Sequence, residues 1–120
     1  MTRILAFVAG ALLVNVTSPV TAQNIVVGGK NFTEQQIMSQ MTAQLLQAKG
    51  FKVDVKAGMG SAVLRQAQEN GQIDVYWEYT GTSLITYNKI NDRMSAADTY
   101  AKVKDLDAAK GLVWLNPSKA

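Results

Sequence analysis

The stretch Ile73-Asp74-Val75-Tyr76-Trp77-Glu78-Tyr79-Thr80-Gly81-Thr82 determines how the rest of the chain is interpreted. Its first half alternates with a period of two, which predicts a β-strand. One face of that strand is apolar, whereas the other interleaves the carboxylates of Asp74 and Glu78 with the phenol of Tyr76. A strand inside a parallel sheet is normally apolar on both faces, so this polar face either meets solvent or lines a pocket. The turn that follows lies where open α/β sheets place their ligands, and we interpret the stretch as half of a small-molecule site.

Strands and helices alternate along the rest of the chain. Short apolar or alternating runs predict strands at residues 24–28, 51–56, 73–77 and 112–115. The segments between them predict helices at residues 33–49, 61–70 and 95–109, with a shorter helix at residues 83–90. Strands separated by helices of this length form right-handed βαβ units, so the sequence predicts an α/β fold with a parallel β-sheet.

Three of the predicted helices begin with capping signals. These are the pairs Thr33/Gln36 and Ser95/Asp98, which are spaced as capping boxes, and the single residue Ser61. In the first helix one face is apolar, and we expect this face to pack in the core; its residues are Ile37, Met41, Leu45 and Ala48. We also expect Trp77 and Trp114 to be core residues.

Composition narrows the possible functions. The net charge of +3 over 120 residues is small and spread along the chain, so no nucleic-acid partner is expected. The absence of cysteine excludes disulfides, thiolate metal sites and a lipid anchor on cysteine. The absence of histidine removes the commonest metal ligand and general base. We therefore expect a binding protein rather than an enzyme, with no catalytic residues, no metal and no cofactor.

Residues 1–22 are organised as a secretory signal peptide. Met1-Thr2-Arg3 is positively charged, residues 4–14 form an apolar run, and residues 18–22 end in small side chains. The run is shorter than the roughly 20 apolar residues that a membrane span needs. We expect a mature chain over residues 23–120, with a net charge of +2 because Arg3 alone is charged in the removed part. Such a chain would be periplasmic or secreted.

Three loops are expected to meet at one edge of the predicted sheet, because parallel strands end at the same edge. The loops are residues 29–34, 58–61 and 78–82, and each contains glycine and opens a helix. Such an edge can hold a carboxylate on backbone N–H groups and a cation on aromatic and acidic side chains. Simpler interpretations remain open: Tyr76 and Tyr79 as half-buried aromatics, Asp74 as a cap or lysine partner, and Glu34 as a helix-start residue.

Three segments of the sequence resemble those of a known protein family. They are Val26-Val27-Gly28-Gly29-Lys30-Asn31-Phe32-Thr33-Glu34-Gln35, Gly71-Gln72 with the stretch quoted above, and Leu112-Val113-Trp114-Leu115. Together they resemble the substrate-binding proteins of osmoprotectant ABC importers, which bind glycine betaine, carnitine and choline. The Lys-x-Phe-Thr-Glu and Asp-x-Tyr-x-Glu-Tyr-Thr-Gly-Thr strings are specific in combination, and the resemblance covers residues 23–120.

The resemblance implies a type II periplasmic binding protein, a two-lobed monomer that delivers its ligand to an ABC permease in the inner membrane. Residues 23–120 correspond to the N-terminal part of lobe 1, and the second lobe is expected to be absent. In this family a cage of aromatic rings holds the quaternary amine. Ring faces suit a trimethylammonium group because it has no hydrogen to donate, and each contributes about 0.5–2 kcal/mol.

The resemblance also indicates ligand-binding residues. Asp74 and Tyr76 match strand positions of cage contributors, and residues 30–34 match a segment of the cleft wall. The candidate ligand-binding residues are Lys30, Phe32, Thr33, Glu34, Asp74, Tyr76, Tyr79, Thr80, Gly81 and Thr82. One lobe offers one or two rings, so we expect this chain alone to bind at about millimolar strength or weaker.

Two other interpretations remain open. The same scaffold could bind another small solute such as an amino acid, with Arg65 or Arg93 pairing the ligand carboxylate. Alternatively, the chain is a truncated product without transport activity, or a small exported α/β protein that acts through protein contacts.

Overall fold

A computed structural model describes residues 23–119, so the predicted signal peptide lies outside the described residues. The elements in chain order are β1 (Asn24–Lys30), α1 (Thr33–Ala48), β2 (Lys52–Met59), α2 (Ser61–Glu69), α3 (Thr80–Thr82), a π-helical turn (Ser83–Tyr87) and α4 (Ala96–Ala108). This order confirms the predicted α/β class. Among residues 23–119, no helix is both long enough and apolar enough to cross a membrane.

The sheet is parallel, as predicted. β1 and β2 pair in register from Asn24 opposite Lys52 to Gly28 opposite Lys56. The register then shifts, and Lys30 lies opposite Met59. Gly58 lies in this irregular part with a φ of 84°, which a residue with a side chain rarely adopts. Strand β2 continues through residues 58 and 59, which the sequence analysis assigned to a loop.

The predicted strand at residues 73–77 is reduced to a single parallel bridge between Val27 and Val75. The Gly28 N–H donates to the Val75 carbonyl over 2.8 Å, and the Asp74 N–H donates to the Val26 carbonyl over 2.9 Å. The segment thus lies beside β1 as expected, but its side chains do not alternate. Its residues 73 and 76 both pack on the core cluster, a spacing of three that a regular strand cannot provide.

The predicted strand at residues 112–115 is wrong. This segment has no strand partner in the described structure, and Val113 and Leu115 are 83% and 72% exposed. It lies against α4 instead, where the Tyr100 hydroxyl donates to the Leu115 carbonyl and the Trp114 ring meets Tyr100 edge-on. Apolar composition indicated a buried strand, but burial requires a neighbouring strand that residues 23–119 do not supply.

The face of helix α1 that packs against the sheet is opposite to the face predicted from the sequence. Ile37, Met41 and Leu45 are 55–64% exposed, whereas Gln35, Ser39 and Ala43 are the buried residues. Small side chains face the sheet because β1 approaches closely there: a Cβ on Gly29 would lie 3.0 Å from the Ser39 hydroxyl. Close approach of the helix to the sheet therefore outweighs the apolar pattern in deciding which face is buried.

Only one of the three predicted side-chain caps is present. Helices α1 and α2 begin after Phe32 and Gly60 without a side-chain cap, so Thr33 and Ser61 lie inside their helices. At α4 the Ser95 hydroxyl accepts from the Asp98 N–H over 3.1 Å and donates to the Asp98 carboxylate over 2.7 Å. The predicted start of α4 is thereby confirmed.

The central core cluster joins α2 to residues 73–76 across β1. Leu64, Ala67 and Ile73 are buried in it, and Val26, Met59 and Tyr76 pack against it. Gly28 lies directly beneath this cluster. A Cβ at that position would lie 2.6 Å from Leu64 Cδ1 and 2.8 Å from Ile73 Cγ2.

A second cluster surrounds the fully buried carboxylate of Asp107. Arg65 donates to both of its oxygens, over 2.6 and 3.1 Å, and Ser83, Asn88 and Trp114 donate as well, over 2.9, 3.1 and 2.7 Å. Burial alone would raise the pKa of Asp107, but these hydrogen bonds outweigh burial and hold the pKa well below its ordinary value. One carboxylate thus fastens α2, the π-helical turn and residues 112–115 to α4.

We expect Gly28→Ala to lower the free energy of unfolding by about 1–3 kcal/mol, because the added methyl group overlaps core side chains. Chemical denaturation followed by circular dichroism measures the change. Gly81→Ala is the matched control, since a Cβ there meets no atom within 4 Å and the residue is helical. Equal midpoints for the two variants would contradict the described packing under Gly28.

We expect Asp107→Asn to cost about 3–5 kcal/mol of stability, because the buried Arg65 guanidinium loses its buried charged partner and keeps only Glu69, whose side chain is 37% exposed. Chemical denaturation measures the loss. The exposed residue Asp105 provides the control: Asp105→Asn should change stability by less than about 0.5 kcal/mol.

The same pair of variants gives a pH test. The pKa of Asp107 is lower in the folded than in the unfolded chain, so its contribution is complete above the unfolded value of about 3.9 and is lost as the pH falls below it. Wild type and Asp105→Asn should therefore lose stability below about pH 4 more steeply than Asp107→Asn. Parallel stability curves for all three proteins would show that Asp107 is not held ionised by its neighbours.

Candidate functional site

A buried ion pair lies where β1 ends. Lys30, the last residue of β1, is 1% exposed, and its ammonium pairs with the carboxylate of Glu78, whose side chain is 7% exposed. Glu78 also accepts a hydrogen bond from the Tyr79 N–H over 2.8 Å and another from the Tyr76 hydroxyl over 2.8 Å. The sequence placed Glu78 at the sheet edge but did not predict that its carboxylate would be the centre of the site.

Gln35 fixes the same two segments relative to each other. Its side chain is 1% exposed, its Oε1 accepts from the Lys30 N–H over 3.5 Å, and its Nε2 donates to the Trp77 carbonyl over 3.0 Å. A buried glutamine with both ends of its amide bonded to backbone is a rigid bridge, since each unpaired polar atom would cost free energy. Gln35 lies in the first turn of α1, and sequence reasoning assigned it no such role.

The first two of the three segments that carry the family resemblance contact each other at the ring of Tyr79. The Lys30 ammonium lies 5.2 Å from the centre of this ring, and the Phe32 ring centre lies 6.1 Å away at an interplanar angle of 31°. The Tyr79 hydroxyl donates to the Glu34 carboxylate over 2.6 Å. The predicted juxtaposition of loops 29–34 and 78–82 is therefore present in the structure.

Tyr76 and Tyr87 are neutral phenols on the inner side of the site. Burial, reinforced by the nearby Glu78 carboxylate, raises the pKa of Tyr76 and raises the pKa of Tyr87 to about 12. Both hydroxyls are therefore protonated near neutral pH and donate, Tyr76 to Glu78 and Tyr87 to the Ser61 carbonyl over 2.9 Å.

An open cleft of about 1230 Å³ lies beside this cluster, between residues 73–81 and residues 111–118. Five aromatic residues line it: Tyr76, Trp77, Tyr79, Tyr100 and Trp114. The prediction that both tryptophans are core residues is wrong for Trp77, which is 40% exposed and donates its indole N–H to the Thr42 hydroxyl over 2.9 Å. Trp114 is half-buried and joins the cleft wall to Asp107. The cleft is therefore richer in aromatic surface than the sequence indicated.

Comparison with known proteins identifies the family. The family model described as the substrate binding domain of ABC-type glycine betaine transport system matches residues 23–120. The chain belongs to this family. The resemblance drawn from the sequence is thereby confirmed.

Two curated relatives of the glycine betaine family are similar to this chain. The glycine-betaine-binding protein of Pseudomonas aeruginosa is 53% identical over 98 residues, which are 82% of this chain and 32% of that protein. The glycine betaine-binding protein YehZ of Escherichia coli is 35% identical over 119 residues, which are 93% of this chain and 39% of YehZ.

A solved structure of apo YehZ from Escherichia coli superimposes with a TM-score of 0.76 at 33% identity, over 82% of this chain and 37% of that one. The fold predicted from the sequence, part of a periplasmic binding protein, is confirmed by this likeness. The chain spans between 32% and 39% of the length of these relatives.

The structure places the predicted ligand-binding residues in three groups. Five line the cleft: Asp74, Tyr76, Tyr79, Thr80 and Gly81. Three contact the cleft wall from behind or from the neighbouring loop: Lys30, Phe32 and Glu34. Two lie elsewhere, since Thr33 faces a shallow depression on α1 and Thr82 is a half-buried helical residue. The predicted set is therefore brought together in large part.

The carboxylate of Asp74 accepts a hydrogen bond from a backbone N–H group. Its Oδ2 accepts from the Val26 N–H over 2.7 Å, near the start of β1 and away from the loop that follows β1. This contact agrees with the simpler interpretation of Asp74 as a capping residue.

Three cleft-lining aromatics, Trp77, Tyr100 and Trp114, were not named as ligand residues by sequence reasoning. Trp77 and Trp114 lie in the two segments that border the cleft, and they share it with Tyr100. An aromatic residue in a short apolar or alternating run was the available signal for each of the tryptophans.

Neither Arg65 nor Arg93 offers a free guanidinium for an amino-acid ligand in the cleft. Arg65 is 5% exposed, donates to both oxygens of Asp107 and also pairs with Glu69 over 2.6 Å. Arg93 is exposed and does not line the cleft. Among residues 23–119, therefore, no arginine is placed to pair a ligand carboxylate in the cleft.

We expect Glu78→Gln to lower the free energy of unfolding by about 3–5 kcal/mol, because the Lys30 ammonium remains buried without a charged partner. Thermal or chemical denaturation measures the loss. The control is Glu69→Gln, which removes a carboxylate that is 37% exposed and leaves Arg65 its bonds to Asp107. It should cost no more than about 1 kcal/mol, and a Glu78→Gln loss of similar size would show that the Lys30–Glu78 pair contributes little.

Proposed function

We propose that this chain forms part of the ligand-binding lobe of the substrate-binding component of an ABC importer for quaternary-amine osmoprotectants, such as glycine betaine, carnitine or choline. The observation that carries the proposal is the contact between Phe32 and Tyr79, held by the Lys30–Glu78 pair beside an aromatic-lined cleft. Family membership and the printed names of both relatives support it.

The chemistry of the cleft suits a bulky organic cation. A trimethylammonium group cannot donate a hydrogen bond, so it gains most from ring faces, at about 0.5–2 kcal/mol each depending on exposure. One face of Tyr79 is already directed at the Lys30 ammonium, so the cation would need the remaining surface of this ring and those of Trp77, Tyr100 or Trp114. We assign the cation to this aromatic part of the cleft.

The carboxylate of a zwitterionic ligand would lie towards Thr80 and Gly81. These residues line the cleft next to the Tyr79 backbone, and they offer a hydroxyl and backbone groups. The Lys30 ammonium lies behind Tyr79 and adds positive charge on that side, although Glu78 balances it. Thr82, which follows Gly81 in α3, would act from the edge of this end of the cleft.

Binding rather than catalysis is part of the proposal. The relatives are binding proteins by name, and the central carboxylate of Glu78 accepts from Lys30, Tyr76 and Tyr79 instead of standing free as a base. No group of three or more potential metal ligands occurs among residues 23–119. We further propose that the protein is a periplasmic monomer, exported by residues 1–22, that hands its ligand to a permease in the inner membrane.

We expect glycine betaine to bind the 120-residue chain at about millimolar strength or weaker, since a single lobe offers few rings. Titrations followed by NMR chemical shifts, with choline and carnitine in parallel, measure dissociation constants in that range. The perturbed resonances should include Tyr79, Thr80 and the indole of Trp77. Micromolar binding would contradict the expectation for one lobe, and unchanged spectra with all three solutes would contradict the proposed ligand class.

A pair of variants tests whether the Tyr79 ring contacts the ligand. Tyr79→Ala should weaken glycine betaine binding by roughly 3- to 30-fold, which corresponds to about 0.5–2 kcal/mol. Phe51→Ala removes an exposed aromatic ring that does not line the cleft, and it should leave the dissociation constant unchanged. Equal effects of the two substitutions would mean that the Tyr79 ring makes no specific contact with the ligand.

A further inference from the structure

Three charged side chains surround the ring of Tyr79. The Lys30 ammonium lies 5.2 Å from the ring centre, Glu78 accepts from the Tyr79 N–H over 2.8 Å, and Glu34 accepts from the Tyr79 hydroxyl over 2.6 Å. Lys30 and Glu78 form an ion pair, so their two charges cancel. Within residues 23–119, Glu34 forms no ion pair. The charges next to this ring therefore add up to one net negative charge, and Glu34 supplies it.

The start of α1 fixes the position of Glu34. The residue lies in the first turn of this helix, where the positive end of the helix dipole favours a carboxylate. Its side chain is exposed, and it is not among the residues that line the cleft. Glu34 can therefore affect a solute in the cleft mainly through the Tyr79 ring, to which its carboxylate is bonded.

The hydrogen bond to Glu34 changes the Tyr79 ring as a partner for cations. A hydroxyl that donates to a carboxylate makes a charge-assisted hydrogen bond, and such a bond polarises the phenol towards the phenolate. The electron density of the ring rises as a result, and the attraction between the ring face and a cation rises with it. An uncharged molecule of the same shape gains only dispersion contact with the ring, which this polarisation leaves almost unchanged.

The Lys30 ammonium has the opposite effect on the same ring. It lies at cation–π distance from the ring and repels a second cation that approaches it. Glu78 balances the charge of Lys30, but it is bonded to the Tyr79 backbone rather than to the phenol. Glu34 is thus the group that polarises the phenol in favour of positive charge.

We propose that Glu34, acting through the Tyr79 hydroxyl, is a positioning residue that makes the Tyr79 ring select quaternary cations over uncharged molecules of the same shape. The inference rests on the proposed function, because it concerns the same ring, and it adds the residue that discriminates by charge. If Glu34 only stabilised the start of α1, its charge would not affect the choice between a cation and its uncharged isostere.

Two pairs of solutes measure this discrimination in the complete 120-residue chain. Choline and 3,3-dimethylbutan-1-ol differ by one nitrogen in place of carbon and hence by one positive charge. Glycine betaine and 3,3-dimethylbutanoate differ in the same way. NMR titrations at low ionic strength, where charges are least screened, give the dissociation constants. In the wild type we expect each quaternary solute to bind at least about threefold more tightly than its carbon isostere. Equal affinities within both pairs would overturn the inference.

Glu34→Gln removes the charge and keeps the size of the side chain. We expect it to weaken choline binding by about three- to fivefold and to leave 3,3-dimethylbutan-1-ol binding within about 1.5-fold of wild type. Asp54→Asn is the matched control. It removes one exposed carboxylate that accepts from the Asn24 amide and does not line the cleft, so it should change neither affinity. If Glu34→Gln weakens the binding of both solutes equally, its role is structural and the inference fails.

Tyr79→Phe tests the same link without altering α1. It keeps the ring and removes the hydroxyl, and we expect it to weaken choline binding by about threefold while leaving the uncharged isostere almost unaffected. In this background Glu34→Gln should weaken choline binding by less than about 1.5-fold, because the bond through which it acts is gone. Independent, additive effects of the two substitutions would show that Glu34 does not act through the Tyr79 hydroxyl.

A spectroscopic measurement reads the hydrogen bond itself. Burial raises the pKa of Tyr79, and the hydrogen bond to Glu34 and its negative charge raise the pKa further. NMR of the tyrosine rings during alkaline titration should therefore show a lower pKa for Tyr79 in Glu34→Gln than in wild type and in Asp54→Asn. An unchanged pKa would contradict the bond on which the inference depends.

The outcomes separate this inference from the proposed function. If glycine betaine, choline and carnitine all fail to bind, the proposed function fails and this inference fails with it. If they bind, but Glu34→Gln and Tyr79→Phe do not change the ratio between charged and uncharged solutes, the inference alone is wrong.

Discussion

The described structure depends most on the buried carboxylate of Glu78. It balances the ammonium of Lys30, accepts from Tyr76 and holds the Tyr79 backbone, and by doing so it fixes the end of β1 against the start of α3. A lysine this deeply buried requires a paired charge, because desolvation of an isolated ammonium costs several kcal/mol. The position of the Tyr79 ring, and with it the proposed solute site, follows from that electrostatic requirement.

A second buried carboxylate, that of Asp107, plays the corresponding role on the other side of the cleft. Five hydrogen bonds from four residues satisfy it, and these residues come from α2, the π-helical turn, the following loop and the segment after α4. Fully satisfied polar clusters of this kind favour one arrangement, because every alternative leaves a buried charge without partners. The two walls of the cleft are thus held by two separate charged clusters rather than by one continuous apolar core.

Large apolar surfaces remain uncovered outside these clusters. The outward face of α1 and the segment at residues 112–115 expose side chains that usually lie in interiors, whereas the central cluster buries three residues. Exposed apolar side chains that form a contiguous patch are typical of an interaction surface.

Local sequence determined the α/β class, the parallel pairing of β1 with β2 and the meeting of loops 29–34 and 78–82, because periodicity, glycine positions and strand direction are properties of neighbouring residues. The tertiary structure alone decided which face of α1 is buried, since the close approach at Gly29 admits Ser39 and excludes Ile37. It also decided that residues 112–115 form no strand and that Glu78 and Asp107 become buried charges. Strand pairing and desolvation depend on partners distant in sequence, and no local pattern specifies those partners.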